Sequence, residues 1–127
     1  MALKIFAPIV LVLSLAFPAA APMAQDAQRF VSVINDLPLM SGLVEAGEGV
    51  EFATPGGRIA EATAHGVRKG AVSREAVLAF YAQTLPQLGW APAGGARFVR
   101  EGETLDLQFG EDGGALTVRF SLAPTDK

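Results

Sequence analysis

The last third of the chain alternates between apolar and polar residues in three runs. These runs span residues 96–124, ARFVREGETLDLQFGEDGGALTVRFSLAP, and are interrupted by Glu101-Gly102 and by EDGG at 111–114. Such alternation is typical of strands with one buried face, and interruptions that contain Gly are typical of hairpin turns. The pattern predicts three consecutive antiparallel strands.

Turn length decides which residues of these strands lie opposite one another. A two-residue turn at Glu101-Gly102 and a four-residue turn at 111–114 set these pairs: Phe98 with Leu105, Arg97 with Asp106, Phe109 with Leu116, Leu107 with Val118, Leu105 with Phe120, Gln108 with Thr117, and Asp106 with Arg119. This register places nearly every apolar residue on one face, which a slip of one residue would reverse. On the other face, Arg97, Asp106 and Arg119 would form a charged row. Such a row is either a solvated face held by its own ion pairs or a surface for an acidic ligand or partner.

Two further strands are predicted in the first half of the chain. GVEFAT at 49–54 and RIAEATAHGV at 58–67 alternate on either side of the TPGG turn at 54–57, which favours a hairpin. One face of the second strand holds only Ala and Gly, at positions 60, 62, 64 and 66. Because so flat a face allows close approach, a large element, most naturally a helix, is expected against it.

A helix is predicted between these two groups of strands. Ser73 can cap its N-terminus, Pro86 can kink it or begin a new turn, and Gly89 suits a left-handed C-cap. Apolar residues recur at helical spacing between them: Val77, Phe80, Tyr81, Leu85 and Leu88. The order β-β-α-β-β-β predicts an α+β two-layer domain with one main helix packed on an antiparallel sheet of about five strands.

The first 24 residues have the layout of a secretory signal peptide. Lys4 precedes an apolar run that begins at Ile5, and small residues follow up to Ala24. Cleavage is expected after Ala24, with Ala21 as the alternative. An uncleaved inner-membrane anchor over residues 5–24 would have about the length that a membrane span requires. Either way the domain is expected to be periplasmic or secreted, with membrane contact only if this segment is retained.

Residues 25–48 are predicted to form an N-terminal connecting segment, followed by the folded domain at 49–127. The segment can begin with one amphipathic turn of helix at residues 30–34, which Pro38 then stops. Its apolar stretch DLPLMSGL contains four large side chains: Leu37, Leu39, Met40 and Leu43. These residues either dock on the domain or form an exposed partner-binding surface.

Composition excludes several chemistries. The chain has no Cys, so it has no disulfide, thiol nucleophile or Cys-based zinc site. Its net charge of −3 and its lack of a basic cluster argue against nucleic-acid binding. The single histidine, His65, has no expected catalytic neighbour, and Glu45, Glu48 and Glu51 lack the loop typical of calcium sites. We therefore predict no catalytic residue, metal site or cofactor.

Tyr81 and Trp90 are the chain's only Tyr and Trp. A domain of this size needs its aromatic residues in the core, yet each of these has a polar end that could line a pocket between helix and sheet. With Leu85 and Gly89 they form the pattern Y-x-x-x-L-x-x-x-G-W. Together with LPLMSGL at 37–43 and TPGGRIAE at 54–61, this pattern resembles a group of small exported Gram-negative bacterial proteins of unknown function. The resemblance covers most of residues 36–123 and implies export and a helix on a sheet, but it transfers no catalytic residues.

The sequence thus predicts a non-catalytic periplasmic domain that binds a protein or cell-envelope partner. The alternative is a small-ligand carrier or sensor with a pocket between helix and sheet near Tyr81 and Trp90.

Overall fold

The computed structural model describes residues 28–125, and more than half of them lie in strands. The strands are β1 (Arg29–Val31), β2 (Ile34–Leu39), β3 (Leu43–Glu45), β4 (Val50–Thr54), β5 (Gly57–Gly66), β6 (Ala91–Pro92), β7 (Arg97–Arg100), β8 (Glu103–Asp112) and β9 (Ala115–Pro124). One α-helix, α1 (Arg74–Thr84), continues into a 3-10 turn at Leu85–Leu88. No helix in this range is long and apolar enough to cross a membrane. The predicted signal peptide or anchor at 1–24 lies outside the described residues.

Seven strands form one antiparallel sheet, and β1 and β2 form a separate hairpin. From one edge to the other, the order is β3 and β4, then β5, β9, β8, β7 and β6. β3 and β4 pair in succession with the same side of β5, β3 with its C-terminal end and β4 with its N-terminal half. β4 and β6 therefore lie at opposite edges of the sheet.

The hairpin and α1 together cover one face of the sheet, which we call the inner face. The buried residues of this face alternate along four strands: Ala60, Ala62, Ala64, Phe98, Leu105, Leu107, Val118, Phe120 and Leu122. Val31, Ile34, Leu37 and Leu39 from the hairpin and Val77, Tyr81 and Leu85 from the helix complete the same core cluster. The small Ala face of β5 is thus part of this shared core.

The predicted α+β two-layer arrangement with one main helix is wrong. Residues 28–125 are predominantly β, with seven strands in the main sheet where about five were expected, and they contain one short α-helix. The predicted helical turn at residues 30–34 is instead the start of the β1–β2 hairpin, and β3 also comes from the segment predicted to be a connector. Tertiary contacts outweigh the local helical pattern here, because short apolar runs fit either periodicity.

Contacts at both ends hold the hairpin on the sheet. The backbone N–H and the hydroxyl of Ser32 donate to the Glu45 carboxylate at 3.1 and 3.0 Å. A Cβ at Gly49 would lie 2.6 Å from Cγ2 of Val33, so the approach of the hairpin turn requires glycine there. At the far end, Asp36 forms an ion pair with Arg100 of β7. The hairpin therefore spans the sheet from β3 to β7.

The register of the C-terminal strands is confirmed in one hairpin and wrong in the other. β7 and β8 pair as predicted, with Arg97 opposite Asp106. Between β8 and β9 the turn has two residues, Gly113 and Gly114, with φ of 59° and 85°. Positive φ at both positions is typical of the tight turn that best matches strand twist. The observed pairs follow from it: Phe109 with Val118, Leu107 with Phe120, Leu105 with Leu122, Gln108 with Arg119, and Asp106 with Ser121.

The helix and its termination follow the sequence. The Ser73 hydroxyl accepts from the Ala76 N–H at 3.1 Å, as an N-cap does. Pro86 is the second residue of the 3-10 turn, which is capped by Gly89 with φ of 92°. The Trp90 N–H then donates to the Leu85 carbonyl at 3.0 Å. This cap directs the chain back toward the sheet and places Trp90 in the core.

Candidate functional site

The DLPLMSGL stretch lies mostly in the core. Leu37, Leu39 and Leu43 are buried, and only Met40 is partly exposed. The prediction of four exposed side chains is therefore wrong for the three leucines, because β2 and β3 turn them toward the core cluster. Docking on the domain, the other interpretation of this stretch, describes their position.

Tyr81 is buried and its hydroxyl is fully used inside the protein. It donates to the Pro38 carbonyl at 2.8 Å and accepts from the Met40 N–H at 3.3 Å. Its ring packs edge-on against Phe120, with centroids 5.5 Å apart. Burial raises the pKa of Tyr81 well above its usual value, although the Met40 N–H opposes this. Tyr81 therefore connects helix, hairpin and sheet.

Trp90 is also buried, beneath the guanidinium of Arg100. The Arg100 guanidinium carbon lies 4.2 Å from the indole centroid, and the same side chain donates to the Leu88 carbonyl and pairs with Asp36. Within residues 28–125, the indole N–H has no hydrogen-bond acceptor. Arg100 and Trp90 thus close the β7 end of the inner face, where Asp36 anchors the hairpin.

The predicted charged row separates into two pairs. Arg97 donates to Asp106 at 2.8 Å, and this bond raises the pKa of Arg97. Arg119 lies opposite Gln108 and approaches Glu61 of β5 at 3.5 Å. The corrected turn shifts Arg119 away from Asp106, so the three residues do not form one ladder. Arg97 and Arg119 are more than half exposed, and Asp106 and Glu61 are partly exposed.

Tyr81 and Trp90, the two residues predicted to line a ligand pocket, are both buried. A cleft of about 620 Å³ opens between the helix and the β2–β3 connection, lined by Gln28, Arg29, Leu39, Met40, Ser41, Gly42 and Phe80. Neither Tyr81 nor Trp90 lines it.

Across residues 28–125, no group of three or more His, Asp or Glu side chains could hold a metal ion. Glu45, one of the three spaced acidic residues, instead accepts from Ser32.

The clearest exposed apolar surface lies on the opposite face of the sheet, at one edge. Phe52 of β4 is 58% exposed and lies opposite Ile59 of β5, which is 40% exposed; Val50, two residues before Phe52, is 50% exposed. We call Val50, Phe52 and Ile59 the β4 edge surface. Within the part of the chain that the structure describes, no strand pairs with the free side of β4. This surface therefore combines exposed apolar side chains with unpaired backbone groups.

Sequence reasoning identified β4 and β5 as a hairpin but did not single out the β4 edge surface. The alternation in GVEFAT marks Val50 and Phe52 as sharing a face, which suggests burial. Pairing places them on the outer face instead, because Phe52 lies opposite Ile59 while the Ala positions of β5 face inward. Ile59 sharing a face with Glu61, Thr63 and His65 is the one signal that could have indicated exposure.

Comparison with protein-family models, with curated proteins and with solved structures finds no match to this chain. The interpretation of the β4 edge surface therefore depends on its own geometry.

Proposed function

We propose that this chain is exported and acts without catalysis, by binding another protein through the β4 edge surface. The observation that carries the proposal is the combination found at β4: three large apolar side chains with 40 to 58% exposure beside a free strand edge. Contiguous exposed apolar residues mark protein interaction sites, and a free edge offers a row of backbone donors and acceptors. The N-terminal sequence supports export.

The binding mode that this geometry favours is addition of a strand. An extended segment of a partner would pair with the backbone of β4, and its alternate side chains would pack beside Val50 and Phe52. The edge has five residues, and its outward side chains are exposed along nearly its whole length. Backbone pairing supplies affinity in this mode, while the apolar surface selects the partner.

The small-ligand alternative has less support. Its two predicted pocket residues are buried, and the Tyr81 hydroxyl already makes two hydrogen bonds. Among the described residues that line the cleft beside Phe80, the cation is Arg29, whose guanidinium donates to the Leu43 carbonyl at 3.4 Å. The Trp90 indole N–H has no acceptor within residues 28–125, but it is buried and does not line the cleft.

Site-specific photo-cross-linking in cells tests the proposal. A photoreactive amino acid at position 52 should give cross-linked protein adducts, because Phe52 is the centre of the β4 edge surface. The matched control is position 30, since Phe30 is an aromatic residue on β1 with 49% exposure. Adducts at position 52 that exceed those at position 30 support the proposal. Equal yields, or none at position 52, contradict it.

Export is tested separately by fractionation and by sequencing the N-terminus of the mature chain. We expect the protein in the periplasmic fraction, beginning at Gln25. Retention in the membrane fraction with an intact N-terminus would instead support the anchor, and recovery in the cytoplasm would contradict export.

A further inference from the structure

We infer that the partner of the β4 edge surface is a second copy of this chain, paired antiparallel about a two-fold axis at Phe52. This inference rests on the proposed function, since it names the occupant of the same surface. A two-fold interface uses the same patch on both copies, so the strand must be complementary to itself. Three features of β4 meet this requirement: the positions of its unpaired backbone groups, the apolar side chains on its outer face, and the charges on its inner face.

The alternating directions of the backbone N–H and C=O groups along β4 favour a register centred on Phe52. Thr54 and Gly57 close the two-residue turn of the β4–β5 hairpin, and such a turn is closed by a hydrogen-bonded pair. Because hydrogen-bonded pairs alternate along antiparallel strands, Val50, Phe52 and Thr54 bond to β5. The N–H and C=O groups of Glu51 and Ala53 then point away from it. Pairing Glu51 of one copy with Ala53 of the other satisfies all of these groups.

The same register brings the apolar side chains together on the outer face. Phe52 meets Phe52 of the second copy in a non-hydrogen-bonded pair, the closer of the two pair types. Ile59 flanks each Phe52 on the neighbouring strand, so the outer face gains a continuous row of four apolar side chains. Val50 lies opposite Thr54 of the second copy, so no charged side chain is directly opposed across the interface on the outer face.

The inner face of the register is complementary in charge. Arg58 lies opposite Ala53, so Glu51 of the second copy would lie next in the same row. Because the Ala53 side chain is small, it leaves space for Arg58 and Glu51 of the second copy to approach each other across it. Arg58 pairs with Glu103 at 2.9 Å, yet its side chain remains one-third exposed. Each two-fold interface would contain this arrangement twice.

A single-cysteine experiment tests the register, because the chain has no Cys of its own. In Phe52→Cys, the two thiols would lie at a directly opposed pair, within the Cα separation that a disulfide allows. In the control Val50→Cys, the thiols would be several residues apart along the strands and beyond that separation. Both positions are about equally exposed, at 58% and 50%.

Each purified variant is oxidised in a glutathione buffer, and the fraction of disulfide-linked dimer is measured. In a separate experiment, analytical ultracentrifugation measures the molecular mass of the unsubstituted chain at increasing concentration. We expect the disulfide-linked fraction of Phe52→Cys to exceed that of Val50→Cys by about tenfold or more. We also expect the mass of the unsubstituted chain to double as concentration rises. Equal disulfide fractions, or a monomer at every concentration, would overturn the second copy as partner.

The in-cell cross-linking separates this inference from the proposed function. Adducts at position 52 that contain only this chain support both. Adducts that contain a different protein retain the proposed function and overturn the inference. No adduct at position 52 overturns both.

Discussion

The two edges of the main sheet are built differently. β6 consists of Ala91 and Pro92, two residues of which one has no backbone N–H. β4 has five residues, and neither Pro nor Lys occurs among them. Short length and proline are two means by which proteins prevent edge strands from pairing with other chains. The β6 edge is therefore protected, and the β4 edge is available.

The two ends of the sheet also differ in how the inner face is closed. Beside β6, Trp90 is buried under Arg100, and Asp36 connects that cluster to the hairpin. Beside β4, Glu51 and Ala53 are exposed, and the outer face carries Phe52 in solvent. The inner face is thus closed by packed side chains at the β6 end of the sheet and is open to solvent at the β4 end.

Removing the Trp90 side chain should have the largest effect on stability, because this side chain closes the inner face at the β6 end of the sheet. We expect Trp90→Ala to lower the free energy of unfolding by about 3–5 kcal/mol, since a large buried side chain is lost and a cavity remains. Urea or thermal unfolding measures the change. Leu88→Ala is the control, because Leu88 is close in sequence but 39% exposed, and its cost should stay below about 1 kcal/mol. Similar costs for both variants would contradict a closed end built on Trp90.

Tyr81→Phe should have the next largest effect on the free energy of unfolding. The substitution keeps the ring but leaves the Pro38 carbonyl and the Met40 N–H without their partner, which should cost about 1–3 kcal/mol near neutral pH. Urea unfolding measures this cost. A change below a few tenths of a kcal/mol would show that the hydroxyl does not hold β2 against the helix.

The same variant tests the pH dependence of stability. Because the folded-state pKa of Tyr81 is raised, the folded protein holds this proton where the unfolded chain loses it. The free energy of unfolding should therefore be unaffected by this group below about pH 10 and fall above it, by at most about 1.4 kcal/mol per pH unit. Tyr81→Phe should lack this part of the decline. An identical decline in both proteins would contradict the assignment.

Substitution at the open edge should have the smallest effect on stability. We expect Phe52→Ser to change the free energy of unfolding of the monomer by no more than about 0.5 kcal/mol, since the side chain is mostly in solvent. Unfolding at low protein concentration, where association is absent, measures it. A loss above about 2 kcal/mol would mean that Phe52 is part of the fold, and the contrast between the two edges would fail.

Local patterns were sufficient for several elements. The TPGG hairpin, the β7–β8 register, the Ser73 cap and the Gly89 termination all agree with the structure. Each depends on residues close together in sequence, where the geometry of a turn or cap is a property of the residues in it. The β8–β9 register failed because a shift of two residues keeps every side chain on its face, so alternation alone cannot detect it.

For the candidate site, sequence reasoning offered exposed apolar side chains in a different segment. Leu37, Leu39 and Leu43 were candidates for exposure but are buried, whereas Val50 and Phe52, with the alternation of a buried strand face, are exposed. The burial of the leucines and the exposure of Val50 and Phe52 have one cause. Apolar pattern indicates which residues share a face, but only the position of a strand within a sheet decides whether anything covers that face.

The sequence alone thus specified five of the strands (β4, β5, β7, β8 and β9), the helix, the turns at 54–57 and 101–102, and the alternation of faces, because these depend on local backbone geometry and periodicity. The tertiary structure decided that residues 29–39 form a hairpin over the inner face and that β4 occupies an uncovered edge. Those outcomes depend on contacts between segments far apart in the chain. Burial is a property of the assembled sheet, so no single stretch of sequence carries it.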